Sequence, residues 1–490
     1  MKNKKYLGLL IIVTIFLFIP ASDYNNEHAI EYNNVIPIIK AEFKNLLYQY
    51  DNFDDELPIE ECLNRGEGGS ERGYISKELA LEDVEYIFSL LKYGYAGYQY
   101  FGGDESFLRA KKNIIWSVIE LYGSQISIDE FLDIVYSELN FIQDSHLSIG
   151  SYKTCTYYRF FSSRKYSFYK GDRGYYTFID KQVYHLINID NKDPEPYMKL
   201  SLADNGSTMY NLGILSNSDK ISISLSLLLE SETETKIENV SLFEYIPHYK
   251  GKQKSYGYHE IGGIPILEVN SLCRMSEEDY SIEEFIADSF NLRGKENIII
   301  DLRDNPGGSV INIDKWYRGF TGTRLQKDMV QSGLYTNTSL ALTRNKFENK
   351  ENEKDEVKDS CLQEISTYEY MDYFPGWSPV EFREFIAIKN DVNVYILIDK
   401  STSSAAEFLA YYLRKLDNVL LVGTNTNGCT LTGNCSPAYL PNSKIRLDIC
   451  HKLYTNKEFE NTDGIGMIPD LWVKPDLALD RVIKYIFKNK

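Results

Sequence analysis

The stretch VNVYILIDKSTSSAAEFL, Val392 to Leu409, decides the fold. Its first eight residues are mostly apolar and rich in β-branched and aromatic side chains, as in a buried strand. The last five, AAEFL, are good helix formers. Between them stand Ser401, Thr402, Ser403 and Ser404. A strand thus gives way to a helix, continuing to about Leu416, across a turn crowded with hydroxyls. NVLLVG (Asn418–Gly423) reads as the next strand. The same alternation runs upstream: GIPILEV (Gly263–Val269) is a strand, Ser281-Ile-Glu-Glu284 opens a helix, and NIIIDLR (Asn297–Arg303) is a buried strand. Strand and helix in turn imply an α/β layer.

Other regions read differently. Residues 76–142 are helical in pattern. Ser127-Ile-Asp-Glu130 fits a capping box, followed by Phe131, Ile134, Val135 and Leu139 on one helical face. Residues 155–255 alternate short segments (YYTFI, QVYHLINI, KISISLSLLL) with Gly, Asn and Asp turns, which marks a β-rich module. Thr321 to Pro379 is polar and contains KFENKENEKDEVKD, so a mobile insertion or lid is expected there. The organisation read from the sequence is a helical region 22–150, a β-rich module 155–255 and an α/β core 258–490 interrupted by 321–379.

The chain opens MKNKKYLGLLIIVTIFLFIPAS. Lysines before an apolar run and a small residue at Ala21 make residues 1–21 a secretory signal, and Leu7–Ile19 is short for a membrane span. A secreted, cell-surface or periplasmic location is expected, with an uncleaved anchor as the alternative and no stable membrane span after cleavage. Removing residues 1–21 takes away three lysines and no acid, so the net charge deepens from −18 to −21. That excludes nucleic acid as a partner, since phosphate binding draws on clustered Lys and Arg. Seven cysteines are too few for a disulfide scaffold. Cys429 and Cys435 lie close enough in sequence to pair. No CxxC or His/Cys spacing marks a zinc site.

Four segments can carry chemistry. In KSTSSAAEFL a serine commonly caps a helix, and Ser403 suits that role. A serine at a first helical turn also has unpaired N–H donors beside it, suited to stabilising an oxyanion. DLRDNPGGS (Asp301–Ser309) ends a strand in glycines that leave N–H groups bare. FIQDSHLSIG (Phe141–Gly150) carries one of only six histidines, His146; a nucleophilic serine needs such a base. ENTDGIGMIPDLWV (Glu460–Val473) supplies a carboxylate, Asp463. His451 is the second candidate base. No GxSxG elbow of an α/β-hydrolase is present.

Taken in order, DSH, DLRDNPGG, TSSAAE and DGIGMIPD resemble the motifs of the C-terminal-processing (tail-specific) serine peptidases and their tricorn-like relatives. The likeness spans roughly residues 76–150 and 258–475. It implies a crotonase-like ββα core with an N-terminal helical cap and a PDZ-like module at the β-rich region. It implies a polypeptide or peptide substrate and neither metal nor cofactor. Position by position, the nucleophile falls on Ser404, and the oxyanion donors on the backbone N–H of Ala405 and Gly308. The base lysine of the tail-specific branch is replaced by Cys429. The tricorn-like tetrad instead places the base on His146, with Ser145 bridging it to Asp463 where the family has glutamate. The expected activity is that of a secreted serine endopeptidase. The competing expectation is an inactive homologue that binds proteins outside the cell.

Overall fold

A computed structural model describes residues 35–62, 73–246, 251–326, 328–348, 365–366 and 376–489. The signal expected at 1–21 lies outside these residues. The long helices of the N-terminal layer are α1 (Lys77–Gly94), α2 (Gly103–Glu120) and α3 (Ile128–Leu139), preceded by helical segments at 35–44 and Ile59–Cys62. Ser76 and Ser127 cap α1 and α3, their hydroxyls accepting the N–H of Leu79 at 3.3 Å and of Glu130 at 3.2 Å. Such caps satisfy donors that a helix start leaves unpaired. After α3 the chain makes two short strands, β1 (Ser148–Ile149) and β2 (Tyr152–Lys153).

The β-rich segment follows: β3 (Arg159–Ser162), β4 (Tyr169–Gly171), β5 (Gly174–Ile179), β6 (Gln182–Ile189), β7 (Met198–Leu202), β8 (Thr208–Ser216), β9 (Ser222–Glu230) and β10 (Thr235–Glu244). They form one sheet in the order β4-β5-β6-β9-β10-β3-β8-β7, each pair antiparallel. Phe168, beside β4, exchanges both backbone hydrogen bonds with Tyr210 on β8 (2.9 and 2.8 Å), joining β4 to the far side of the sheet. The sheet therefore rolls closed around Phe161, Phe168, Leu227, Leu229 and Leu242. Among the described residues it holds no α-helix, only a 3-10 turn at Glu195–Tyr197.

The α/β core is built from β11 (Tyr256–Ile261), β12 (Ile264–Val269), α4 (Ser281–Asp288), β13 (Asn297–Asp301), α5 (Val310–Thr321), β14 (Val330–Tyr335), α6 (Asn337–Glu348), β15 (Gly376–Trp377), β16 (Asn393–Ile398), α7 (Ala405–Leu413), β17 (Val419–Gly423), β18 (Thr432–Tyr439), β19 (Arg446–Thr455), β20 (Leu471–Trp472) and α8 (Pro475–Lys488). One sheet runs β11-β12-β13-β16-β17-β20, parallel except for the β11 edge. The strands read from the sequence at 263–269, 297–303, 392–399 and 418–423 are its centre, buried on both faces as parallel strands are. Ile298, Ile300, Ile396 and Ile398 pack on α4, α5 and α7, and Ile266, Ile299 and Leu397 face α8. The loops that leave the carboxyl ends of β13 and β16 lie side by side, where open α/β sheets place their ligands.

A second sheet, β15-β14-β19-β1-β2 with β18 on β19, carries the helical layer. Ile87, Leu91, Phe107, Phe131 and Leu139 share a core with Ile149, Leu447 and Ile449. The expected insertion at 321–379 is partly overturned here. Residues 330–335 form β14, paired with β19, and Ala341 and Leu342 of α6 are buried. The stretch 349–359 of the charged run lies outside the described residues. The expected Cys429–Cys435 pair is also overturned. Cys435 and Cys450 stand directly opposite in the β18–β19 register and form the disulfide, while Cys429 is a buried free thiol. Among the described residues no helix is long and apolar enough to cross a membrane.

Candidate active site

The loop leading to α7 is laced from within. Asp399 accepts the N–H groups of Ser401 and Thr402, both at 3.0 Å, as Asx turns do. Thr402 Oγ1 donates to the carbonyl of Leu302 at 2.8 Å, and Ser403 N–H donates to Asn305 O at 2.9 Å. The β16 loop is thereby tied to the β13 loop. Ser404 is the residue before α7 and sits at φ 53°, ψ −121°. A serine there is strained by roughly 1–3 kcal/mol, a cost characteristic of residues held for function. Ser403 was expected to cap the helix. Its hydroxyl instead accepts from Asn427 Nδ2 at 3.2 Å, since the helix begins one residue later.

Gly307 and Gly308 take φ of 106° and 141°, which only glycine adopts freely. Gly307 N–H donates to Asn305 Oδ1 at 2.8 Å. No hydrogen bond among the described residues engages the N–H of Gly308 or of Ala405. A Cβ on Gly307 would stand 2.9 Å from Ser404 Cβ and from Ala405 N, so the glycine loop lies against the serine.

Facing this loop, His146 Nε2 lies 3.1 Å from Ser404 Oγ, the two residues being 258 apart in sequence. His146 stands just before β1. Its main-chain N–H donates to Asp144 Oδ1 at 2.8 Å, and the other oxygen of Asp144 accepts from Tyr95 (2.7 Å) and Thr432 (2.8 Å). Burial lowers the pKa of His146 below its ordinary value, with Asp144 pulling the other way. The ring is therefore neutral at neutral pH, as a base must be.

Ser145 and Asp463 meet, but not as the tetrad reading expects. Asp463 Oδ2 accepts the main-chain N–H of Ser145 at 2.9 Å, and Oδ1 accepts the N–H of Thr430 (2.8 Å) and Leu431 (3.0 Å). The single proton of the Ser145 hydroxyl goes to Gly428 O at 2.5 Å. The hydroxyl bridge from His146 to Asp463 is thus absent: the proton is committed to Gly428, and the short Asp463 side chain is spent on backbone. Burial, then the charge of Asp144, raises Asp463 to about 8 against those three donors. The second candidate base, His451, is buried in β19 with its ring 6.2 Å from that of Tyr335.

Two charged groups were quoted in the motifs without a role. Glu407, fully buried in α7, accepts from the N–H of Ser404 (3.1 Å), Gly428 (2.9 Å) and Cys429 (2.8 Å) and from the Thr426 hydroxyl. Lys400 donates to the carbonyls of Thr426 (3.1 Å), Asn427 (3.0 Å) and Gly464 (2.9 Å). Their signal in the sequence is their place, three residues after and four before the serine. Cys429, at the position of the tail-specific lysine, is buried and its thiol is pushed well above its ordinary pKa by that burial. It is a protonated, structural thiol.

Residues 261–473 match the family described as peptidase family S41. The match takes in most of the α/β core and indicates a serine peptidase, a hydrolase. Among solved structures the chain is similar to mature CPAF complexed with lactacystin, at 15% identity over 84% of this chain and 98% of that one, with a TM-score of 0.44. It is similar to the photosystem II D1 C-terminal processing protease (11%, 85% and 96%, TM-score 0.35) and to the tricorn protease (12%, 84% and 37%, TM-score 0.35). No curated protein matches the chain.

Proposed function

We propose that this S41 chain is a secreted endopeptidase in which Ser404 is the nucleophile and His146 the base. The observation that carries the reading is the 3.1 Å contact between Ser404 Oγ and His146 Nε2, beside a helix start and a bare glycine N–H. His146 takes the hydroxyl proton as Ser404 Oγ bonds to a peptide carbonyl carbon. The oxyanion is held by the N–H of Gly308 and Ala405. His146 then gives the proton to the leaving amine, and water releases the acyl group by the reverse steps. Ser145 and Asp463 act as positioning residues through the main chain. The core is read as the crotonase-like ββα arrangement with its helical cap, and the β-rich segment occupies the place of a PDZ-like module. The N-terminal pattern supports secretion, and the substrate is an unfolded polypeptide or peptide.

The experiment is fluorophosphonate labelling of the purified protein at mildly alkaline pH, beside Ser404→Ala and His146→Ala. Label mapped to Ser404 and lost in both variants supports the reading. A folded wild type that takes no label sinks it.

A further inference from the structure

The peptide 426–429 is gripped from both sides by opposite charges. On its N–H side Glu407 takes Gly428 and Cys429; on its carbonyl side Lys400 takes Thr426 and Asn427. The ends of this grip reach the reacting groups. Glu407 also holds the N–H of Ser404. Gly428 O holds the hydroxyl of Ser145, the neighbour of His146. The third proton of Lys400 goes to Gly464 O, one residue past Asp463, whose carboxylate holds the N–H of Ser145. A half-buried ammonium with three carbonyl acceptors has every donor used, and each acceptor here belongs to a loop at the site.

We infer that Lys400 is a positioning residue that keeps Ser404 and His146 in register by clamping the 426–428 and 463–464 loops against Glu407. The inference rests on the peptidase reading above. The arrangement is the inverse of a serine–lysine dyad, because the amine is spent on main-chain carbonyls and aims no lone pair at the serine. The groups facing Lys400 are Glu407, Glu244, Cys155 and Arg159, with the Tyr157 ring 5.4 Å away. Burial brings its pKa down to about 8. Above that pH the amine loses a donor and its charge, and the clamp loosens.

The test follows the rate of fluorophosphonate labelling at Ser404 from pH 6 to 10 in wild type, Lys400→Arg and Lys400→Gln, with hydrogen exchange of the peptide spanning 424–431 in wild type, corrected for intrinsic rates. Expected are a wild-type rate that falls above about pH 8, a fall moved at least a unit higher in Lys400→Arg, and a pH 7.5 rate lowered roughly 10- to 100-fold in Lys400→Gln. Protection of 424–431 should drop over the same pH range. A fall at the same pH in Lys400→Arg belongs to Asp463 and overturns the inference, as does unchanged protection between pH 7 and 9.5. A wild type that labels, with both variants labelling at its rate, overturns the clamp and leaves the peptidase reading standing. A wild type that takes no label but loses protection above pH 8 supports the clamp and sinks the peptidase reading.

Discussion

Gly307→Ala isolates the approach of the glycine loop to Ser404. At φ 106° an L-residue is strained by roughly 1–3 kcal/mol. The new methyl would also stand 2.9 Å from Ser403 O, Ala405 N and Ser404 Cβ. Two of these atoms are backbone and cannot swing aside, so overpacking adds roughly 1–3 kcal/mol. The total is about 2–6 kcal/mol, partly relieved by moving one loop off the other. Gly307 cannot retreat easily, because its N–H is held by Asn305 and its carbonyl by Leu272 N–H at 2.9 Å. The loop that yields is the one carrying Ser404, and a shift near 1 Å costs on the order of 100-fold in rate. Thermal melting and Ser404 labelling are measured together, with Gly294→Ala, whose Cβ meets nothing within 4 Å, as control. A Gly307→Ala protein that melts and labels like wild type would refute the contact between the two loops.

Three further outcomes are expected. Because burial holds the His146 pKa below its ordinary 6.5, labelling should rise with pH to a midpoint below 6.5; a midpoint above it would show an imidazolium stabilised at the site. In Asp463→Asn the amide must point a donor at one of three buried N–H groups, at a cost of roughly 1–3 kcal/mol. Since the folded carboxyl keeps its proton up to about pH 8 and the unfolded one loses it near 3.8, wild-type stability should fall between those values and the Asn variant should lack that slope; parallel melting curves would refute this. Removing the disulfide by Cys435→Ala, which opens a loop with a separation of 15 residues, should cost roughly 3 kcal/mol, and a reductant should do the same to wild type; an unchanged melt under reduction would count against it.

The fold was legible where periodicity is local. NIIID and NVYILI are short apolar runs that become the central parallel strands, and VLLVG joins them beside β16. It was illegible where a strand exists only through a distant partner. VQSGLY, Val330–Tyr335, mixes polar and apolar residues inside a polar stretch and is a strand because β19, more than a hundred residues on, pairs with it. The same distance hid the disulfide. Cys429 and Cys435 are near in sequence, but the β18–β19 register sets Cys435 against Cys450 and leaves Cys429 turned into the core.

The site divides along the same line. Positions whose backbone carries the requirement were readable: glycines at positive φ, a serine at a helix start, a histidine where a helix gives way to a strand. Hydrogen-bond partners were not, because they depend on how loops from four segments converge. A hydroxyl at position 145 and a carboxylate at 463 suggest a side-chain relay. In the folded chain Gly428 O takes the Ser145 proton. Asp463, one methylene shorter than the glutamate that the tricorn-like resemblance leads one to expect, has three main-chain N–H groups within reach and is saturated by them. His146 is held through backbone rather than side chains: Asp144 fixes the His146 main chain, Asp463 fixes that of Ser145, and Lys400 with Glu407 fixes the peptide between them. A backbone frame of this kind tolerates loss of the relay hydroxyl better than loss of a clamping charge, so Ser145→Ala should slow labelling less than Lys400→Gln. The reverse order would return the relay to Ser145.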